Sequence, residues 1–313
     1  MENPKITVLG SFVVDLMIKT PHLPVRGETV FGGPFKLGPG GKGSNQGIAA
    51  HKCGADVTMV TKVGRDDFAQ VALKSFMSVG MKTDYVFFDE RLETGAALIL
   101  VENDTGENEI VVSIGACNNI TDEEVESVRE EISKSKVLLT QLETNLSAVY
   151  KAIDIANEYG TKVILNTAPF RPIPDDIYKK VSVLTPNEVE ASQLSGVEIK
   201  DINGARKAAE YFIKKGAKSV IITLGAFGAY VKSEEFEGHI PAFKVENVVD
   251  TTGAGDAFNG GFAAALSRGT GIREAAIYGN AVAAISVTRV GTAPAMPAKD
   301  QVDEFLRERG FII

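Results

Sequence analysis

The 313-residue chain carries 33 Lys plus Arg against 41 Asp plus Glu, a formal net charge of −8, with 44% hydrophobic residues. That length admits one large α/β domain, since such domains often run to about 250 residues, or a domain with a small accessory unit. The acidic balance lacks any run of Lys or Arg and so argues against a nucleic-acid surface, while two cysteines (Cys53, Cys117) and three scattered histidines make neither a disulfide framework nor a zinc site.

The N-terminal MENPKITVLG passes straight into an apolar run without a charged leader, so no signal peptide is expected. No stretch of about 18 apolar residues occurs, so no membrane span is expected, and the reading is a cytoplasmic protein. Lys5–Gly10 (KITVLG) is the first predicted strand.

Residues 12–37 show strand-like alternation with turn signals at Pro24, Arg26 and Gly27, and residues 94–114 do the same around Asn103–Gly106. Both read as antiparallel ribbons of one small sheet, a lid over a crevice. The apolar face of such a sheet is naturally buried by pairing the lids of two subunits, so a homodimer is expected.

Between the ribbons, Gly38–Asn45 reads GPGGKGSN. Gly38, Gly40 and Gly43 match G-x-G-x-x-G, but the motif follows a ribbon and not the first strand of a βαβ unit, which argues against dinucleotide binding. A Walker A loop also fails, because Lys42 is followed by Gly43. What remains is bare backbone, an ammonium at Lys42 and an amide at Asn45, opening the helix SNQGIAAHKCG. Such groups suit hydroxyls, or Lys42 is only a surface lysine near a helix start.

From residue 121 onward strands and helices alternate. Apolar runs at 136–143, 162–169, 181–188 and 219–228 follow helical patterns such as those at 121–136, 146–160 and 203–216. This predicts a mainly parallel sheet with helices on both faces and all strand C-termini along one edge. Gln141, Glu143, Asn166, Asn187 and Thr223 close these runs, where ligands bind in open α/β sheets.

Val248–Phe262 reads VVDTTGAGDAFNGGF, an apolar run, a glycine-rich turn and a helix. Backbone N–H groups and the helix dipole converge at that turn and suit an anion, with Asp256 in the first helical turn. A base beside an anion hole is the minimal apparatus for phosphoryl transfer to a hydroxyl. The same residues could also be only a capped helix start.

The chain resembles the ribokinase family of carbohydrate kinases. The resemblance rests on PGGKGSNQGIAA at 39–50 and DTTGAGDAFNGGF at 250–262, supported by Gly10–Ser11, Asp15, GRDDF at 64–68, TGENE at 105–109, QLE at 141–143, TPNEVE at 185–190, ITLGAFG at 222–228 and AISVTRVGTAP at 284–294. It implies a three-layer α/β sandwich as one kinase domain over 1–313 with a β lid at about 12–37 and 94–114. It further implies ATP-dependent phosphorylation of a pentose 5-hydroxyl. Asp256 then matches the catalytic base, and the amides of Gly253, Ala254 and Gly255 match the anion hole. Val13, Asp15, Gly41, Lys42, Gly43, Asn45 and Glu143 fall at sugar positions. Asn187, Thr223, Leu224, Gly225, Ala226, Phe227, Gly228, Gly255 and Asn280 match the ATP pocket. Glu190 matches a residue tied indirectly to Mg2+, if it is not merely a solvated helix carboxylate. Asp250 and the carbonyls of Thr252, Ser286, Arg289 and Gly291 match a K+ site.

Two positions depart from the family pattern. Family members tend to place a serine ligand where this chain has Ala295, which weakens the expected K+ site. Val13 stands where an asparagine contacts the sugar, and deoxyribose-phosphorylating members are apolar there. A buried hydroxyl without a partner costs about 1–3 kcal/mol, so with Val13 there 2-deoxy-D-ribose is expected to compete with or exceed D-ribose as substrate. A nucleoside, hexose or sugar-phosphate kinase remains an alternative. A non-catalytic sugar sensor is disfavoured because the base is present and no fused DNA-binding helix pair is seen.

Overall fold

Apolar runs closed by polar residues become the strands of a central sheet, as the alternation predicts. A computed structural model describes residues 3–313. The chain begins with β1 (Lys5–Leu9), β2 (Val13–Thr20), β3 (Lys36–Gly40), α1 (Lys42–Lys52), β4 (Asp56–Gly64), α2 (Asp67–Ser78), β5 (Val86–Asp89), β6 (Thr94–Glu102) and β7 (Asn108–Gly115). Next come α3 (Asp122–Ser127), α4 (Arg129–Lys134), β8 (Val137–Thr140), α5 (Leu146–Tyr159), β9 (Lys162–Leu165), α6 (Asp175–Tyr178), β10 (Val183–Leu184), α7 (Glu188–Ser195) and α8 (Ile202–Lys215). β11 (Val220–Thr223), β12 (Ala229–Lys232), β13 (Glu237–Ile240), α9 (Ala254–Ser267), α10 (Ile272–Ser286) and α11 (Lys299–Arg307) complete it.

The large sheet runs in the order β13-β12-β11-β10-β9-β8-β1-β4-β5. β11 through β5 pair in parallel, and only β12 and β13 are antiparallel. Alternate strand residues bury on opposite faces, as period 2 requires. Ile6, Val8, Val137 and Leu139 join α1, α9 and α10 in one core. Leu9, Leu138, Val163 and Leu165 join α5 and α8 in the other. The result is a sandwich of helix, sheet and helix.

β4 is an interior strand between β1 and the edge strand β5, although DVTMVTKVG does not read as an apolar strand run. Lys62 on it is buried and forms ion pairs with Asp89 and Glu124, which makes a charged residue tolerable there. The predicted helix over 121–136 is two short helices meeting at Val128.

The second sheet has the order β3-β2-β6-β7. Each predicted ribbon is antiparallel, but β2 and β6 join them in parallel, so the sheet is mixed. Its first ribbon reaches Gly40, three residues past the expected 37, and opens directly into α1.

α9 is buried from Asp256 to Ser267. A helix covered on all sides must be lined by small residues wherever neighbours come close. A Cβ on Gly260 would lie 2.5 Å from the Gln46 carbonyl on α1, and one on Gly261 2.5 Å from Val282 on α10. Gly260 thus lets α1 come close to α9, and Gly261 lets α10 do so. Among the described residues no helix is long and apolar enough to cross a membrane.

Candidate active site

Gly253, at φ 77°, ends the turn before α9 and is its N-cap, with no side chain capping the helix. The Asp256 carboxylate points instead at α1. Asn45 donates to its Oδ2 at 3.0 Å and Gln46 to its Oδ1 at 2.9 Å. The capped-start alternative therefore fails, and the helix N-terminus stays open to an anion. The Ala254 N–H closes the turn on Thr251 at 3.2 Å, while the N–H groups of Gly253 and Gly255 have no backbone acceptor among the described residues. A Cβ on Gly255 would meet nothing within 4 Å, so this side borders open space.

The residues predicted to meet a sugar converge on the same spot. Gly41, at φ 90°, is the N-cap of α1, and a Cβ there would lie 2.9 Å from the backbone of Ser11 to Val13. Gly43 packs on Gly10 and Ser11 at 2.5 to 2.6 Å from such a Cβ, which holds α1 against the end of β1. The Glu143 carboxylate accepts the Lys42 N–H at 2.9 Å and the Ser11 hydroxyl. Asp15 and Val13 share one face of β2, two residues apart. Val13 is buried, yet belongs to neither apolar core, unlike its neighbours Phe12 and Val14.

These groups act on one another electrostatically. Burial, then Glu143 and Asp256, push the Asp15 carboxyl up to about 6. Burial also raises Asp256, against the Lys42 charge and the amides of Gln46 and Asn45. Burial alone would lower Lys42, but the charges of Asp256, Glu143 and Glu190 outweigh it and hold the ammonium above its ordinary value. One half-buried cation thus serves three carboxylates.

The predicted nucleotide residues lie on neighbouring strand ends. Asn187 caps α7 in a reciprocal box with Glu190: its side chain accepts the Glu190 N–H at 2.8 Å, and Glu190 accepts the Asn187 N–H at 3.1 Å. Glu190 also accepts from Asn187 Nδ2 at 3.0 Å and Thr167 at 3.1 Å. It is 6% exposed, so it is not a solvated helix carboxylate. Thr223 bridges to Asn187, and Gly225–Phe227 forms a short 3-10 turn after it, closed by the Leu224 N–H on Gly228 at 2.8 Å. Ala226 and Phe227 are exposed on that turn. Gly228, at φ 99°, packs against the Ile240 carbonyl, and Asn280 donates to Pro241 at 3.2 Å.

Asp250 accepts N–H groups from Thr252 and Gly291, each at 2.9 Å, which brings the 250–252 turn beside the 286–291 segment. That segment carries Ser286, Arg289 and Gly291. Thr292 donates to the Pro39 carbonyl of β3 at 3.1 Å, tying it to the small sheet.

Gln46 was not singled out from the sequence. It stands with Lys42 and Asn45 at i, i+4 and i+3 of one helix, and that spacing was the available signal.

A carboxylate beside an open helix N-terminus, at the strand ends of a three-layer α/β sandwich, defines a phosphotransferase that acts on a hydroxyl. Residues 3–299 match the family described as pfkB family carbohydrate kinase. The chain is 40% identical to a ribokinase of Haemophilus influenzae, covering 96% of this chain and 98% of the relative. It is 37% identical to a deoxyribokinase of Salmonella typhi at 96% and 98% coverage. Among solved structures, Arabidopsis thaliana ribokinase complexed with ribose and ATP is similar at TM-score 0.89 and 27% identity, covering 97% and 99% of the two chains. A Thermotoga maritima ribokinase is similar at TM-score 0.86 and 33% identity, covering 98% and 100%. The chain belongs to the pfkB family of carbohydrate kinases.

Proposed function

We propose that the protein transfers the γ-phosphoryl group of ATP to the 5-hydroxyl of a pentose, D-ribose or 2-deoxy-D-ribose. The observation that carries this reading is the buried Asp256 carboxylate, turned from its own helix toward Asn45 and Gln46 beside unclaimed amides. Asp256 takes the 5-hydroxyl proton as that oxygen forms a bond to the γ-phosphorus. The bond from phosphorus to the bridging oxygen breaks, and ADP leaves with its electron pair. Gly253 and Gly255 supply the unclaimed amides of the anion hole for the phosphoryl oxygens, and Ala254, whose N–H closes the turn on Thr251, holds the shape of that turn.

Lys42, Asp15, Asn45, Glu143, Gly41 and Gly43 hold the sugar. Asn187, Thr223, Asn280 and the 224–228 turn hold the nucleotide. Relatives called ribokinase and deoxyribokinase support a pentose, and Val13 favours the sugar without a 2-hydroxyl.

Mg2+ neutralises phosphate charge when bound. The Glu190 oxygens are already engaged by Asn187 and Thr167, which suits an indirect role through water. The main-chain carbonyls of Thr252, Ser286, Arg289 and Gly291 form an all-oxygen set that fits K+; each Asp250 oxygen already accepts one N–H, so that carboxylate supplies charge and a remaining lone pair. A cation there would stiffen the turn that presents the amides. Ala295 adds no hydroxyl.

The four-stranded sheet serves as a lid that excludes water and so favours transfer over hydrolysis. Leu37, Leu16, Leu98 and Val111 lie in one cross-strand row, and Leu98 and Val111 are more than half exposed. This row fits the lid of a second copy, giving a homodimer. ATP as the cosubstrate fits a cytoplasmic enzyme.

A panel of pentoses, hexoses and nucleosides with ATP and Mg2+, followed by ADP release, tests the reading. Fastest turnover with ribose or 2-deoxyribose is expected. Turnover confined to nucleosides or hexoses, or to no sugar at all, would overturn it.

A further inference from the structure

Behind Asp256 lies a chain of buried amides that neither the anion hole nor the sugar contacts account for. Gln46, Gln141 and Asn166 come from α1 and from the ends of β8 and β9, and none is more than 6% exposed. The chain of bonds begins at the Thr185 main-chain carbonyl, which can only accept. It takes Asn166 Nδ2 at 2.6 Å. Asn166 must therefore present Oδ1 to its other neighbour, and Gln46 Nε2 donates to it at 3.0 Å. The second N–H on the same Nε2 goes to Asp256 Oδ1 at 2.9 Å. Gln46 Oε1 faces away and accepts from Gln141 Nε2 at 2.7 Å. Each amide thus has its orientation fixed by the one before it, and a backbone carbonyl fixes the first.

We propose that Gln46 is a positioning residue for phosphoryl transfer: it pins Oδ1 of Asp256 so that Oδ2 is presented to the sugar hydroxyl, and Thr185 acting through Asn166 ensures that Gln46 offers a donor. Asn45 holds Oδ2 at 3.0 Å and is also a sugar contact, so an incoming hydroxyl takes over at Oδ2 while Gln46 stays on Oδ1. This rests on Asp256 being the base.

The role has a signature in pH dependence. A hydrogen bond to an ionised carboxylate favours the ionised form, so losing it raises the pKa of that carboxylate. The other charged groups facing Asp256 are Lys42 on α1, Glu143 after β8 and Asp15 on β2. None of them is altered when Gln46 alone is changed.

Gln46→Met is close in size and cannot donate. Gln46→Leu removes the donor in a second shape, should the first variant fold poorly. Both are measured beside wild type and Asp256→Asn, with melting temperature and ATP affinity as folding controls. A variant that folds and binds ATP is expected to lose about tenfold or more in kcat, with the sugar KM changed less than about threefold. The acid limb of its kcat profile moves to higher pH by about one unit. Near-normal kcat, or a lower kcat with the limb unmoved, overturns the role of Gln46 while Asp256→Asn stays inactive. Substantial turnover by Asp256→Asn instead removes the reading of Asp256 as base.

Discussion

Asp250 and Gly291 meet across 41 positions: the carboxylate accepts the Gly291 N–H at 2.9 Å while its other oxygen accepts the Thr252 N–H at 2.9 Å. One side chain thus fixes both the turn that presents the proposed anion-hole amides and the segment that carries the other proposed cation donors. Burial opposes the charged form, but the two N–H donors outweigh it and lower the carboxyl's pKa. The stabilisation is therefore present at neutral pH and is lost as the pH falls through the lowered value. Asp250→Ala should lower kcat and abolish activation by KCl relative to tetramethylammonium chloride. Wild type should melt at a higher temperature in K+ and the variant should not, because a ligand bound only to the folded state stabilises it. Equal K+ shifts in both proteins would remove Asp250 from the cation site.

Asp15 illustrates a site group held at a cost to the fold. Its carboxyl titrates at about 6 in the folded chain against 3.8 ordinarily, because it is buried beside Glu143 and Asp256. Between those values the folded state binds more protons than the unfolded one, so stability falls as the pH rises through the window. Asp15→Asn should raise stability at pH 7 by on the order of 1–3 kcal/mol, and the gain should vanish near pH 4. The same variant should raise the pentose KM by about tenfold or more, through a lost charged hydrogen bond. Urea titrations at the two pH values and steady-state kinetics check both halves.

Val13 is the residue proposed to discriminate between the two sugars. It lies at the start of β2, on the face that carries Asp15, and a Cβ on its neighbour Gly95 would come within 2.9 Å of it. Val13→Asn should shift the ratio of kcat/KM for ribose over 2-deoxyribose toward ribose by about tenfold, the worth of one satisfied hydroxyl. An unchanged ratio would show that the 2-position is read elsewhere.

Gly260 sets the distance from α1 to α9. A side chain there would meet the Gln46 carbonyl and Ala49 at 2.5 Å. Gly260→Val should cost about 1–3 kcal/mol in stability by overpacking and lower kcat, because Asn45 and Gln46 would withdraw from Asp256. Full activity in a folded variant would mean that the spacing is not critical.

Much of this was legible in the sequence, and the exceptions have physical causes. The strands β1, β8, β9 and β11 announce themselves as apolar runs because both their faces are buried. β4 hides because Thr58, Thr61 and Lys62 interrupt its run, and only tertiary partners such as Asp89 make Lys62 acceptable there. The parallel joining of β2 to β6 depends on register between segments about eighty residues apart, which no local pattern encodes. In the site, glycine-rich turns and single carboxylates stand out by residue type. Gln46 does not, since a glutamine in a helix reads as surface until its burial between α1 and α9 is seen. Glu190 is a similar case: its alternative reading as a solvated helix carboxylate fails because a capping box with Asn187 buries it at a strand end.

In the proposed transfer, Asp256 removes the proton from the sugar hydroxyl. Asp256→Asn keeps size and can still accept from one N–H, but it cannot take a proton. With ATP, Mg2+ and saturating pentose, kcat should fall by about a thousandfold or more while ATP affinity stays within a few fold of wild type. A variant that binds ATP and turns over at a rate close to wild type would contradict the account.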